Sequence, residues 1–570
     1  MENSYSKIVT SSYSLLWPDE RSYKCWKETV TPSVCFYKDL NINKVIDSLM
    51  FKENDRGIIS QLFKSPCTSR EVLEYRLDTM QDFVENQWLV DNFKELVKMM
   101  VFIQNCSKKE FSNLNGIHVQ TCFFEQASKY VNLILGIKEC LDSGKESIRS
   151  TGLKRLLRHA EMIVHQHDFK AMMEDIKRIE EEYKNISELY LEFGYYEGLK
   201  DIVINMDNAK KNTAVKEPLI SKLLKYGSSF LEDWDENYCS IYYDARFSRL
   251  EEIIFEKLQV KEPAIFESLH AFYTKYSDNS IEDICELKVE AEFYIKFSEL
   301  VCRMERLGLK FCKPKIADSQ RENTKIECLY DLSLALQMLE DGKSELSTNI
   351  VCNDLCFDEH GEIFIVTGPN KGGKTTYIRS VGIAQVLFQA GCFVPALRAK
   401  MGIVDVVHTH FPEEETLGID KGRLGEEAER ISVIIKNSTS KSLVLLNETF
   451  SSTRSIDGYF LGRDVLKILM KLKCKGIYVT HFGELADDID ALNQEVQEGS
   501  QLACLTAGIE DTDGKGVTRN RTFRIKRMKA VGLGYSKDIV LKHGLSSEQI
   551  IELLKKRGYF PGTRRDKNGQ

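Results

Sequence analysis

The residues with the clearest chemical potential are Gly368, Pro369, Asn370, Lys371, Gly372, Gly373, Lys374 and Thr375, which satisfy G-x-x-x-x-G-K-[ST] directly after the apolar run Ile363 to Val366. This is a P-loop. Its glycines let backbone N–H groups curl around phosphate oxygens, and the following helix, expected over 376–389 from Thr376, adds its positive N-terminal end. Lys374 reaches the β- and γ-phosphates, and Thr375 offers a hydroxyl to Mg²⁺. A glycine-rich turn of a generic Rossmann-like unit would leave Lys374 unexplained.

Three further groups could serve the same chemistry. Leu443 to Leu446 form an apolar run ending in Asn447 and Glu448, where a Walker B strand would place a metal-orienting acid and a water-activating acid. Asn447 can accept a hydrogen bond from a magnesium-bound water but lacks the carboxylate charge, so slow turnover is expected. Glu448 is the general-base candidate. Ile477 to Thr480 deliver His481 to the same sheet edge, as a γ-phosphate sensor. Alone, an acid or a histidine at a strand end is commonly structural; the upstream P-loop is what gives these two meaning. Gly422, Arg423 and Gly425 open an amphipathic run about 20 residues before Asn447, where ATPases of the ATP-binding-cassette (ABC) type place a signature loop that completes a partner's site.

The elements that must hold these residues differ along the chain. Residues 1–345 are dominated by helical periodicity, and 346–528 alternate short β-branched runs with helices, the pattern of a mainly parallel α/β sheet. The fold class is therefore multi-domain: an all-α domain followed by an α/β P-loop domain. Phe169, Met172, Ile176, Ile179, Tyr183, Ile186, Tyr190 and Phe193 form a heptad stripe that predicts one long helix. A second stripe runs through Ile284, Leu287, Ala291, Tyr294, Phe297, Val301 and Met304. Paired antiparallel, the two would make a lever with its tip at about 195–245; a buried pair inside a bundle has the same periodicity, and both readings stay open.

Composition narrows the class. Hydrophobic residues at 42% and charged residues at 29% suit a globular protein, and only 10 Pro and 34 Gly argue against long disordered tracts. The net charge of −8 supplies no global field for nucleic acid, so a nucleic-acid role needs a local patch. Residues 519–570 carry 14 Lys and Arg against 4 Asp and Glu, a balance of +10 that leaves −18 for the rest. That segment, read as a basic helical tail over 529–570 with Arg519, Arg521, Arg524, Lys526 and Arg527 just ahead of it, is either a DNA-facing patch or a solvated surface. No apolar run suits a membrane helix or signal core, so a cytoplasmic protein without membrane contact is expected. Sixteen cysteines without paired CxxC motifs read as buried reduced thiols.

Taken together, the segments 367–396, 443–453 and 479–485, with their order and spacing, resemble the ATPase domain of the MutS mismatch-repair family. The GPN-x-GGK-[ST] form of the loop with its Gly391–Ala396 tail is far narrower than a general P-loop. Residues 39–94 resemble the start of the MutS core domain, and Ile350 to Leu355 the lead into its ATPase. The resemblance implies ATP and Mg²⁺, a homodimer of ATPase heads, and long helices that close around DNA, duplex or branched, in repair or recombination. It departs from the family at Asn447, in place of the usual aspartate, and at Gly422–Arg423, in the signature serine region. With the core resemblance beginning at residue 39 and the ATPase resemblance near the end, neither a mismatch-reading domain ahead of the core nor an endonuclease domain after the ATPase is expected. Phe123-Phe124-Glu125 superficially resembles that reader's Phe-x-Glu wedge but sits within helical sequence and reads as core. The expectation is an ATP-gated DNA clamp with slow hydrolysis; the rival is an ATP-dependent dimerising scaffold without repair activity.

Overall fold

A computed structural model describes residues 13–29, 34–107, 116–184, 190–194, 201–205, 258–279, 281, 283–318, 324–343, 345–412, 423–451, 453–511, 519–528 and 547–557. Two compact units emerge, one of Met1–Glu20 with Glu85–Ile295, the other of Arg21–Val84 with Lys296–Gln570. Helices α1 (Glu20–Thr29), α2 (Val34–Asp39), α3 (Ile42–Asp47), α4 (Glu53–Lys64) and α5 (Arg70–Glu85) lead into α6 (Gln87–Ser107), α7 (Gly116–Ser143), α8 (Thr151–His165) and α9 (His167–Lys184). Strands β1 (Tyr190–Gly194) and β2 (Asp201–Asn205) precede α10 (Pro263–Tyr276) and α11 (Leu287–Arg306).

The first unit is helical. In α8, Leu153, Leu156, Leu157, Ala160 and Ile163 recur at steps of three and four and are all buried, and the Ser150 hydroxyl caps the helix by accepting from the Leu153 amide at 3.4 Å. Phe123 and Phe124 on α7 are core residues as expected, edge-on to Tyr273 (5.4 Å) and Phe272 (5.3 Å) of α10. Glu290, fully buried on α11, is satisfied by the Ser14 hydroxyl (2.8 Å) and the amides of Leu15 (2.6 Å) and Leu16 (3.3 Å).

Two expectations are corrected here. The helix expected through Phe193 does not reach it: α9 is described to Lys184, and Tyr190–Gly194 is a strand paired antiparallel with β2, Phe193 opposite Ile202 and Leu191 opposite Ile204. Within this segment Leu191 and Phe193 are two apart, the spacing of a strand, and branched and aromatic residues suit a strand as well as a helix. The two heptad stripes are each buried where described, yet they do not form an antiparallel pair. The main neighbours of α9 are α7, α8 and α10, with Asp175 accepting from Lys275 and from the Tyr276 hydroxyl at 2.8 Å each. Of the region expected as the lever tip, only Asp201–Asn205 lies within the described residues.

The second unit adds β3 (Lys315–Ile316), β4 (Thr324–Leu329), α12 (Leu332–Glu340), α13 (Leu346–Asn349), β5 (Asn353–Phe357), β6 (Ile363–Thr367), α14 (Lys374–Ala390), β7 (Arg398–Met401) and β8 (Val407–His410). After these come α15 (Arg423–Asn437), β9 (Leu443–Asn447), α16 (Ser455–Leu472), β10 (Lys475–Val479), α17 (Gly483–Asp487), α18 (Ile489–Glu495), β11 (Leu502–Asp511), β12 (Arg519–Arg527) and α19 (Ser547–Lys556). Six strands form one sheet in the order β12-β11-β6-β10-β9-β8, parallel except for β12 at the edge. Its central strands are buried on both faces, which is why they read as continuous apolar runs. Val444, Leu446, Ile363, Ile365 and Tyr478 pack on one face with Ile431 and Ile434 of α15 and Leu466 and Met470 of α16. On the other face lies α14, where a Cβ on Gly382 would come within 2.5 Å of Leu40 and 3.0 Å of Leu445. A second sheet, β3-β7-β4-β5, completes the unit.

These units do not follow the division placed near residue 345. Residues 21–84 belong with the sheet because they dock on α14 and on β8. Gln389 donates to the Cys67 carbonyl at 2.9 Å and its own carbonyl accepts the Cys67 amide at 3.1 Å; Arg76 donates to the Ala390 carbonyl at 3.4 Å. On β8 the Thr409 hydroxyl donates to Asp39 at 2.7 Å. Of the expected basic tail, 529–546 and 558–570 lie outside the described residues. Arg519 to Arg527 form an edge strand, and Arg527 is bound to Asp358 by two contacts of 3.0 and 2.9 Å. The cysteines whose side chains are described are all free thiols, and among the described residues no helix is long and apolar enough to cross a membrane.

Candidate functional site

The loop between β6 and α14 is shaped by positive-φ backbone at three positions, two of them glycines. Gly368 and Gly373 have φ of 127° and 92°, and Lys371 shares the left-handed region at 59°. A Cβ on Gly368 would sit 2.8 Å from that of Ala507, and one on Gly372 2.9 Å from the Pro369 carbonyl. The chain therefore curls tightly at the N-terminus of α14, leaving its first amides without intrahelical partners, an arrangement suited to an anion. Lys374 is buried and donates to the carbonyls of Gly368 (2.9 Å) and Pro369 (3.0 Å). Burial pushes its ammonium below the usual lysine range, with the Glu448 carboxylate pulling it back up.

The ends of β9 and β10 meet this loop because both strands run parallel beside β6. Asn447, buried at the end of β9, accepts from the Thr375 hydroxyl at 3.3 Å. Glu448 follows in the left-handed conformation at φ 52°, and Phe450 repeats it at 64°, each costing roughly 1–3 kcal/mol that surrounding contacts must offset. The Glu448 amide donates to the Val479 carbonyl at 2.8 Å, and its carboxylate lies 2.8 Å from His481 Nε2. The hydrogen bond from His481, with the positive charges of His481 and Lys374, holds the Glu448 carboxyl below the usual glutamate range against the opposing effect of burial. Lys374, Thr375, Asn447, Glu448 and His481 thus gather at one sheet edge.

Comparison with known proteins matches residues 364–515, which contain this edge, to the family model MutS domain V. The DNA mismatch repair protein MutS of Clostridium botulinum (strain Okra / Type B1) is 24% identical over 480 residues, 77% of this chain and 48% of the relative. That of Fervidobacterium nodosum is 29% identical over 259 residues, 45% of this chain and 28% of the relative. This chain is MutS-like. It spans about half the length of the curated relatives it matches.

In the MutS-like site, a cavity of about 290 Å³ extends from Lys371–Thr376 and Glu448 towards α12, floored by Tyr330 and Asp331 and bounded by Phe523. The glycine cradle, the helix N-terminus and the buried ammonium fit a triphosphate. Thr375 and Asn447 offer hard but neutral oxygens to a magnesium ion, with the ionised Glu448 beside them, so ligand type fits while charge is low. Among the described residues no cluster of three or more His, Cys, Asp or Glu could hold a metal by itself. Asn370 and Lys371 are exposed at the loop's outer rim, and Thr376 is half-buried on the first turn of α14. Of the signature loop, Gly422 lies outside the described residues, Arg423 begins α15, and Gly425 has open space around its Cα.

Sequence reasoning missed two contributors to this cavity, Phe523 and Asp331. Phe523 packs over Gly373, 3.5 Å from where a Cβ there would be, and its carbonyl accepts from Asn353 Nδ2 at 3.1 Å. Its neighbours in sequence are mostly basic, and none of them marks it as a site residue. Asp331 caps α12 by accepting from the amides of Ser333 (2.9 Å) and Leu334 (3.2 Å), while its other oxygen faces Arg379 at 3.7 Å. Burial pushes this carboxyl up, with Arg379 opposing. Only its position before an apolar helical run could have marked it.

Proposed function

We propose that this chain binds and slowly hydrolyses ATP and that its nucleotide state gates a dimeric clamp on DNA in repair or recombination. The observation that carries this reading is the convergence of Lys374, Thr375, Asn447, Glu448 and His481 around the glycine loop. We read 346–528 as a P-loop, ABC-type ATPase in which Gly368 to Gly373 wrap the phosphates and Lys374 exchanges its two carbonyl partners for phosphate oxygens. Thr375 and Asn447 orient a magnesium ion, which when bound neutralises phosphate charge. Glu448, kept ionised by His481, accepts a proton from the attacking water. His481 lies close enough to the same carboxylate to register what occupies the γ-position. With an amide at Asn447, the ion is held by one negative charge fewer than a Walker B aspartate supplies, and turnover is slow.

Binding to DNA is supported by the similarity to DNA mismatch repair proteins and by Arg524 and Lys526, exposed on edge strand β12. Dimerisation rests on the signature position of Gly422, Arg423 and Gly425, which would complete the partner's site. Purified protein is titrated with homoduplex, mismatched and four-way DNA, with and without ATP, across salt. The reading predicts ATP-dependent binding that weakens steeply with salt, less steeply once the arginines of 519–527 are neutralised. A flat salt response would reject the clamp. Mixed Lys374→Ala and Arg423→Ala chains should regain partial ATPase; no regain would reject the shared site.

A further inference from the structure

The turn that presents Glu448 is gripped at four points. The Glu448 amide is held by the Val479 carbonyl at 2.8 Å, the Thr449 carbonyl by the Tyr478 hydroxyl at 3.2 Å, and the Thr449 hydroxyl by His410 Nδ1 at 3.0 Å. The fourth grip is different in kind: the Phe450 amide donates to Glu427 Oε2 at 3.0 Å, and Glu427 is a buried carboxylate on α15, one turn from that helix's start. The first three come from neighbouring strands of the same sheet. Only the fourth reaches across from a helix, and it holds a residue whose φ of 64° needs holding.

We infer that Glu427 is a positioning residue for ATP hydrolysis, fixing the left-handed turn at Phe450 so that Glu448 points into the nucleotide cavity. Without an acceptor at this place the Phe450 amide is buried and unbonded, and the turn gains by relaxing towards φ below zero. A crank of this kind at Phe450, two residues on, swings the Glu448 carboxylate away from its 2.8 Å contact with His481. The lining of the glycine loop is untouched, so nucleotide affinity is unaffected. The inference rests on the reading of Glu448 as the water-activating group.

The test compares Glu427→Ala, Glu427→Gln and Glu427→Asp in the full chain by steady-state ATPase kinetics, equilibrium ATP binding and thermal unfolding. Losing a charge-assisted bond to the turn should lower kcat about ten- to hundredfold in Glu427→Ala, with KM and ATP affinity within about twofold of wild type. Glu427→Gln keeps an oxygen acceptor and should retain kcat within about threefold. If Glu427→Ala does not fold, Glu427→Asp, which withdraws the acceptor by one methylene, should show the same split. An unchanged kcat, a parallel loss of ATP affinity, or Glu427→Gln falling as far as Glu427→Ala would each overturn the inference. Glu448→Gln, run alongside, separates the two levels. If it hydrolyses ATP like wild type, the reading of Glu448 fails; if it is inactive while Glu427→Ala is not, only the positioning role fails.

Discussion

Replacing Asn447 with aspartate restores the charge that a Walker B strand end normally carries, at almost unchanged shape. The side chain is 3% exposed and bonded to the Thr375 hydroxyl at 3.3 Å, so the new carboxylate enters a nearly dry position. At an effective dielectric of about 20, a unit charge pair about 4 Å apart gains about 4 kcal/mol, which a divalent ion doubles to about 8 kcal/mol. Desolvating the ion and the carboxylate takes back several kcal/mol. A net gain of about 2 kcal/mol is expected, roughly a thirtyfold lower magnesium requirement for ATP binding. In EDTA the sign reverses, because the buried charge then has no counter-ion, and Tm should fall by roughly 5 °C. The assay is ATP binding titrated with magnesium, paired with thermal unfolding in EDTA. If variant and wild type share one magnesium dependence, Asn447 is not beside the ion and the metal assignment is wrong.

Two other expectations follow from the geometry. His481→Ala removes the bond that lowers the Glu448 pKa; because the ionised form exists above that pKa, the acid limb of the kcat–pH profile should move to higher pH, and an unmoved limb would uncouple the pair. Gly391→Ala places a Cβ 2.4 Å from that of Arg76 at a φ of 89° and should destabilise by about 2–4 kcal/mol in urea unfolding. Gly342→Ala, at φ 77° with open space around it, should cost about 1 kcal/mol, and equal losses would deny the docking of α5 on α14.

What could be read in advance divides by the range of the interactions involved. The glycine loop, Lys374 and the strand-end pair Asn447–Glu448 are marked by their neighbours in sequence, since each directly follows an apolar run that forms a buried strand, β6 or β9. The docking of residues 21–84 depends on contacts such as Thr409 with Asp39 and Arg76 with Ala390, made across some 300 positions and leaving no local periodicity. The strand at Tyr190–Gly194 was hidden because Phe193 fits both the heptad stripe and a two-residue alternation with Leu191. Phe523 escaped notice because nothing in an arginine-rich edge strand announces that its one aromatic ring lies over Gly373. Glu427 was invisible for the same reason: its partner is a backbone amide, which no residue type marks.

Every role proposed for these residues depends on occupation of the glycine loop by a nucleoside triphosphate. Calorimetric titration of the full chain and of Lys374→Ala with ATP and magnesium tests it most directly. Wild type should bind ATP, and the variant should bind at least about tenfold more weakly, through loss of a charge-assisted bond to phosphate. Equal affinity of the two proteins, or no heat of binding with wild type, would contradict it.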